Sequence, residues 1–190
     1  MIDGEKDIIK RAIRGEASAF GLLYDRYQPQ IYRFIYLKVN SREEAEDLTH
    51  QVFLQSWQKI SAYRFRGFPF SSWLYRIARN EIIDYYRTKK ISIDIEDITI
   101  EANPEFVSGN PAPTKIDDIL DIEKMREAVK KLGQTEQDII IFRFVEDLSP
   151  QEVADIIDKT PEAVRLIQHR AIKNLRKILS VKEQNGTGFS

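Results

Sequence analysis

No cysteine occurs among the 190 residues of the chain, which excludes disulfides, thiolate-held metals and cysteine nucleophiles. Histidine is almost as scarce. His50 and His169 are the only two; they lie far apart in sequence, and neither belongs to a zinc-type ligand cluster. No metal and no cofactor is expected. No apolar run approaches the length that spans a bilayer. The N-terminal stretch MIDGEKDIIKRAIRGEASAF is charged and has no long apolar core, so it does not read as a signal peptide. A cytoplasmic protein without membrane insertion is expected. A glycine-rich phosphate loop and a histidine–carboxylate–nucleophile group are missing too, so the chain does not read as an enzyme. Nor does charge of one sign dominate: the net charge is −1 with 31% charged residues. That balance leaves a nucleic-acid partner open, because what matters is where the positive charge sits.

What is present is helical periodicity over a hydrophobic content of 42%, enough for a folded core. Residues 5–14 place Ile8, Ile9, Ala12 and Ile13 on one face, and Gly15 ends that helix. Ser18 is suited to cap the next, which holds Phe20, Leu23, Tyr24, Tyr27, Ile31, Phe34 and Ile35. Pro29 should kink or interrupt it, having no N–H for the helix ladder. Ser41 and Glu44 form a capping box ahead of a strong helix over 42–59. A polar, aromatic segment, 61–70, leads to a helix that starts at Ser71 or Ser72 and runs to about Thr88. Residues 91–121 change character. Acidic residues such as Asp94, Glu96, Asp97 and Glu101 face a single Lys115, and Pro104, Gly109, Pro111 and Pro113 break regular structure. This reads as an acidic flexible linker, although the alternating isoleucines from Ile91 to Ile100 leave an extended strand open. Beyond it, 122–131 is a helix ended by Gly133, and 135–145 is another with Thr135 and Asp138 as cap partners. The expected class is all-α: two small helical domains, 1–90 and 122–180, joined by the linker 91–121. The second is a four-helix helix-turn-helix domain, followed by a frayed tail over 181–190.

The stretch SPQEVADIIDKTPEAVRLIQHRAIKNLRKIL, 149–179, carries the helix-turn-helix. Ser149 with Glu152 makes a capping box, and Val153, Ala154, Ile156 and Ile157 give the first helix its apolar side. Asp158 stands at the turn, and Asp tolerates positive φ. Thr160 is the next N-cap, with Pro161 at N1. The second helix splits into two stripes. Val164, Ile167, Ala171, Leu175 and Ile178 form a core face; Glu162, Arg165, Leu166, His169, Lys173 and Arg176 lie opposite. Such a helix fits the major groove, with base edges near its N-terminal half and phosphates near its basic residues. A solvated amphipathic surface is the plain alternative; the capped turn and the two-stripe split favour DNA.

Two more helices carry candidate sites. On 71–88, Leu74, Ala78, Ile82 and Tyr85 form the buried side, and Trp73, Arg76, Asn80 and Arg87 fall in a narrow stripe. Indole, guanidinium and amide on one line suit stacking, phosphate and a base edge. The preceding AYRFRGFPF interleaves Tyr63, Phe65 and other aromatics with Arg64 and Arg66, as suits a single strand or a base turned out of the stack. Phe70 reads as core. On 42–59, Ala45, Leu48, Val52 and Ser56 point inward, and Glu43, Asp47, His50, Gln51 and Leu54 lie opposite. That acidic face repels phosphates, and by itself it is either solvated surface or a dock for a basic protein.

Three segments in this order, EEAEDLTHQVFLQSW, FSSWLYRIARNEIIDYYR and LGQTEQDIIIFRFVEDLSPQEVADIIDKTPEAVRLIQHRAIKNLRK, resemble the bacterial sigma factors of the extracytoplasmic-function (ECF) type. The resemblance implies a promoter-specificity subunit rather than a catalyst. Core RNA polymerase would dock on Glu43, Asp47, His50 and Gln51, where the family often has Gln-Glu in place of His50-Gln51. The −10 element would be opened and read by Tyr63, Arg64, Phe65, Arg66, Trp73, Arg76, Asn80 and Arg87. The −35 element would be read as duplex by Arg165, Leu166, His169 and Lys173, with Arg170 at the flank near a phosphate. The linker would thread toward the polymerase channels, and an anti-sigma factor is a common partner in the family. Primary sigma factors carry a second tryptophan where this chain has Leu74. That difference implies weaker intrinsic melting, which Leu74→Trp should relieve. A helix-turn-helix repressor or activator acting on duplex DNA alone is the alternative.

Overall fold

The computed structural model describes residues 4–39, 41–93, 125 and 127–186. Four helices make the N-terminal half: α1 (Glu5–Ile13), α2 (Ala17–Val39), α3 (Arg42–Lys59) and α4 (Phe70–Ile93), with a 3-10 turn at Ile60–Ala62. The C-terminal half holds a helical stretch at 127–130, then α5 (Gln134–Phe144), α6 (Pro150–Ile157) and α7 (Pro161–Gly186). Every described element is helical, as the all-α expectation requires. Among the described residues, no helix is long and apolar enough to cross a membrane.

Local chemistry sets the element ends. Gly15 takes φ 89°, a conformation open to glycine at no steric cost, and so separates α1 from α2. Ser18 does not cap α2; it lies inside the first turn and donates to Glu16 at 2.8 Å. Pro29 does not interrupt α2. It lies on the exposed side of the helix, where water can satisfy the carbonyl that loses its donor, while Ile31, Phe34 and Ile35 remain buried in register. Ser41 caps α3 by accepting from the Glu44 N–H at 3.3 Å, and the Glu44 carboxylate is engaged by Lys89 at 2.8 Å. Helix α4 extends to Ile93, into the expected linker, and residues 94–121 of that linker lie outside the described residues. Asp138 is not a cap partner of Thr135. α5 begins after Gly133 with no side-chain cap bond, because the Asp138 carboxylate is committed to two cations of the other half. α7 continues through Gly186 into the expected tail. No proline interrupts VKEQ, and three of its residues are good helix formers.

The core is built around α2, whose Leu23, Tyr27, Ile31, Phe34 and Ile35 are buried among α1, α3 and α4. Tyr27 donates to the buried Glu5 on α1, and burial pushes its phenol pKa up. The same apolar cluster runs on into the C-terminal half, taking in Ile139, Phe142, Val153, Ile156 and Val164. Phe34 stacks on Phe142 with centroids 4.6 Å apart, and Tyr75 sets its edge against both, at 5.7 and 5.2 Å. Each such aromatic pair adds about 0.5–1.5 kcal/mol to the value of the area it buries. A smaller cluster, Ala128, Leu132, Ile140, Ala171 and Leu175, ties α5 to α7. The two halves therefore pack directly on one another.

Leu74 is fully buried in this core. An indole at position 74 would have to force itself among packed side chains and would supply no second exposed aromatic. Leu74→Trp is thus expected to lower stability by about 1–3 kcal/mol, read as a reduced urea midpoint, and the expectation of a gained melting wedge is corrected.

Candidate nucleic-acid interface

The helix-turn-helix closes through the caps its sequence offers. The Ser149 hydroxyl accepts from the Glu152 N–H at 3.2 Å, and the Glu152 carboxylate accepts from the Ser149 N–H at 2.7 Å. Asp158 takes φ 55° at the turn. Thr160 then accepts from the Ala163 N–H at 3.2 Å, with Pro161 opening α7. Val164, Ala171 and Leu175 are buried, which turns Arg165, Leu166, His169, Lys173 and Arg176 outward, all exposed. Leu166 is 72% exposed, an apolar tip amid cations that suits a thymine methyl. Arg165 has only a long, exposed contact with Glu162 at 3.5 Å. Arg170 is placed apart: its guanidinium donates to the buried Glu136 at 2.9 Å, a carboxylate it shares with Asn174.

A second surface forms where the 63–69 loop meets the start of α4. Tyr63 and Phe70 are buried, and Trp73 is half-buried against both, with ring centroids 5.2 and 5.3 Å away. Gly67, at φ 88°, makes the loop's turn. Arg64 folds back to donate to the Ser61 and Tyr63 carbonyls at 2.9 and 2.8 Å. Phe65 projects outward, 57% exposed, with the Lys6 ammonium 5.8 Å from its ring centroid. Tyr63, Arg64, Arg66, Trp73 and Arg76 line a cleft of about 150 Å³. Asn80 and Arg87 are exposed farther along α4 and do not line it; Arg87 pairs with Asp84 at 3.0 Å.

Two lining residues escape a sequence reading. Ser72, one helical turn before Arg76, lines the cleft; its hydroxyl and Arg76 Nε are buried and have no hydrogen-bond partner among the described residues. The i, i+4 spacing of Ser72 and Arg76 on a helix was the available signal. Asp155 reaches the cleft from α6, and no local pattern announces it. Its carboxylate lies 2.7 Å from the Arg76 guanidinium, which also donates to the Asp155 carbonyl at 2.6 Å.

The contact between the halves is charged as well as apolar. Lys38 Nζ and Arg79 Nε each lie 2.8 Å from a different oxygen of Asp138. The Lys38 and Asp138 side chains are each 3% exposed, and burial pulls the Lys38 ammonium below the usual amine range. Glu146 accepts from both nitrogens of the Arg33 fork at 2.8 and 2.7 Å and from the Tyr75 hydroxyl at 2.6 Å. On α3, Glu43, Asp47, His50, Gln51 and Leu54 are exposed together on the face turned away from Ala45, Val52 and Ser56. Leu54 is 52% exposed, an apolar residue within a polar face.

The Sigma-70 region 2 family matches residues 23–91, and the Sigma-70 region 4 family matches residues 128–177. The ECF RNA polymerase sigma factor BldN of Streptomyces coelicolor is 32% identical over 174 residues. That alignment covers 91% of this chain and 65% of BldN, so the chain spans just under two thirds of that relative's length. The ECF RNA polymerase sigma factor SigW of Bacillus subtilis is 29% identical over 182 residues, covering 92% of this chain and 96% of SigW. Among solved structures, CnrH in complex with the cytosolic domain of CnrY matches with a TM-score of 0.70 at 19% identity, over 94% of this chain and 99% of that one. RpoE in complex with the anti-sigma factor NepR from Bartonella quintana matches at 0.68 and 23% identity, over 85% of this chain and 97% of that one. At these identities the solved structures share the fold.

Exposed and buried charges should separate in a stability measurement. Arg165→Ala and Lys173→Ala are expected to change the free energy of urea unfolding by less than about 0.5 kcal/mol. Asp138→Ala, which leaves Lys38 and Arg79 facing each other without their anion, is expected to cost about 3–5 kcal/mol.

Proposed function

We propose, from the premise that this chain belongs to the sigma-70 family of RNA polymerase sigma factors, within its ECF group, that it directs core polymerase to promoters by gripping them at two places. The observation that carries this reading is the presence of two unlike DNA-suited surfaces on one chain. One is a convex helix with outward cations, fit for duplex; the other is a concave aromatic and basic cleft, fit for a separated strand. A simple duplex binder has use for the first alone.

In this reading Arg165, Leu166, His169 and Lys173 on α7 read the −35 element, with Arg170 at its flank. Tyr63, Arg64, Phe65, Arg66, Trp73 and Arg76 hold the −10 strand. Its bases stack on Trp73 and Phe65, its phosphates meet the arginines, and Asn80 and Arg87 extend the contact along α4. Glu43, Asp47, His50 and Gln51, with Leu54 among them, form the polymerase dock on α3. The polymerase performs the chemistry; this chain contributes binding energy and strand separation, and it works in the cytoplasm. An anti-sigma factor is proposed as a further partner, since RpoE is bound to one in its solved complex.

The test is run-off transcription with core polymerase over a randomised promoter library. Start-site selection is expected, with both recognition elements returned by the selected sequences; core enzyme that selects no start site with this protein present would overturn the reading. Asn80→Ala is expected to relax −10 selectivity while −35 dependence stays intact. Arg165→Ala and His169→Ala are expected to relax −35 dependence by about 1–3 kcal/mol per lost base contact, with polymerase binding unchanged in a pull-down.

A further inference from the structure

Helix α7 carries a pair of side chains that belong to neither of its two stripes. At about 100° per residue, Arg170 and Asn174 fall between the buried line of Ala171 and Leu175 and the outward line of Leu166, His169 and Lys173. Both turn toward one carboxylate on α5. Glu136 accepts from Arg170 Nε at 2.9 Å, and its two oxygens lie 3.2 and 3.4 Å from the Asn174 amide nitrogen that donates to them. The ion pair is unequal in its surroundings: the Glu136 side chain is 11% exposed and that of Arg170 is 65% exposed. The carboxylate is an anchor set in the protein, and the guanidinium is held at the surface by it. Among the described residues Arg170 makes no other side-chain hydrogen bond. Of its five N–H donors only the one on Nε is used, and the fork is left open to solvent. Glu136 has a fixed seat. It lies in the first turn of α5, where the helix dipole favours an anion, and the cluster of Ala128, Leu132, Ile140, Ala171 and Leu175 packs α5 on α7.

We propose that Glu136 is a positioning residue for duplex DNA: it holds the Arg170 guanidinium in the orientation from which its free N–H groups meet a backbone phosphate beside the −35 element. This rests on the reading of α7 as the helix that enters the duplex. Entropy is the first argument. A solvent-facing arginine loses rotamer freedom when it is immobilised at an interface, and one whose Nε is already fixed has less left to lose. Planarity is the second. Fixing Nε restrains the plane of the whole guanidinium, so its two terminal nitrogens are aimed together, as a bidentate phosphate contact needs. Register is the third. Phosphate contacts set a protein's position on the duplex and carry no sequence information themselves. A guanidinium anchored through α5 ties the outward stripe of α7 to the DNA backbone at a fixed offset. The charges of Glu136 and Arg170 also cancel at a distance, so the contact forms only at close range. That suits a residue that sets register and does little to attract.

The experiment uses holoenzyme assembled from core polymerase and the full chain, with a labelled promoter duplex recovered from the run-off selection. Affinity is measured over a series of salt concentrations. Each phosphate contact adds about 0.9 to the slope of log affinity against log salt, a quantity that a merely structural role does not move. Arg170→Ala is expected to lower that slope by about one contact and the affinity about two- to fivefold. Glu136→Gln is expected to give the same two losses with Arg170 still present, and the double variant no more than either alone. Glu136→Met is expected to do the same; its apolar side chain needs no partner where it is buried, so it stands in if Glu136→Gln proves unfolded in a thermal melt. A wild-type slope in a folded Glu136 variant, or tighter binding by it, overturns the proposal: Arg170 would then reach its phosphate unaided, or be masked by Glu136. A wild-type slope in Arg170→Ala overturns it too, since there would be no phosphate contact to position. A promoter with its −35 element scrambled separates these outcomes from the underlying reading. If the wild type distinguishes the two promoters while the variants keep its slope, only the positioning role falls. If the wild type does not distinguish them, α7 is not the duplex reader and both fall.

Discussion

One carboxylate sets how the halves of this molecule meet. Asp138 points each oxygen at a different cation, Lys38 from α2 and Arg79 from α4, both 2.8 Å away. Taking such charges out of water costs several kcal/mol per ion, and the mutual attraction returns that only when the geometry is good. The net stabilisation is therefore small; most of the adhesion comes from the apolar contact beside it, where Phe34, Tyr75 and Phe142 meet. What the ions contribute is orientation. An apolar face tolerates sliding and rotation, whereas a carboxylate between two fixed cations accepts one pose. Rotating α5 by a fraction of a turn would part the buried Lys38 and Asp138, and the half-buried Arg79, from one another. That pose then dictates the rest, because a short turn and the Ser149 capping box join α5 to α6 and so carry Asp155 to the mouth of the cleft.

Pairing across the contact also takes up positive charge in a molecule whose net charge is −1. Four cations of the N-terminal half are paired with carboxylates of the other half: Arg76 with Asp155, Arg79 and Lys38 with Asp138, and Arg33 with Glu146. Arg170 is likewise held by Glu136 within the C-terminal half. Arg165, Lys173 and Arg176 on α7 stay outward.

The parts of this design that are local in sequence were legible in it. Helical periodicity found the buried stripes of α2, α3 and α7, and cap chemistry placed Ser41, Ser149 and Thr160 at the helix starts and Asp158 in its left-handed turn. Phe70 read as core and is buried, at the first residue of α4, just ahead of the expected start at Ser71 or Ser72. Two misreadings share one cause: the deciding partner lay far along the chain. Asp138 reads as a cap partner from its neighbours, but Lys38, 100 positions away, claims it. Arg76 reads as free surface, but Asp155 sits 79 positions away. Leu74 itself was read as buried and is; the gain expected of Leu74→Trp failed for a different reason. Adjacent helix residues point about 100° apart, so the neighbour of a half-exposed Trp73 is already turned into the core.

On the proposed reading, geometry asks for a different arrangement of the halves on a promoter. By their names the −10 and −35 elements lie about 25 base pairs apart, roughly 85 Å of duplex at 3.4 Å per base pair. In this structure α6 touches the cleft directly, and α7 begins three residues after Ile157 ends α6. Helix α7 therefore starts beside the cleft, and on the proposed assignment no straight duplex can meet both at that separation. The chain between Ile93 and Met125 has a fully extended limit of about 100 Å at 3.3–3.6 Å per residue, enough to span the two elements once α6 leaves α4. A clamp of weak net stability and strict pose suits that role. On that reading it would hold one arrangement until a partner's contacts with the separated halves outweighed a few buried ion pairs and one aromatic cluster.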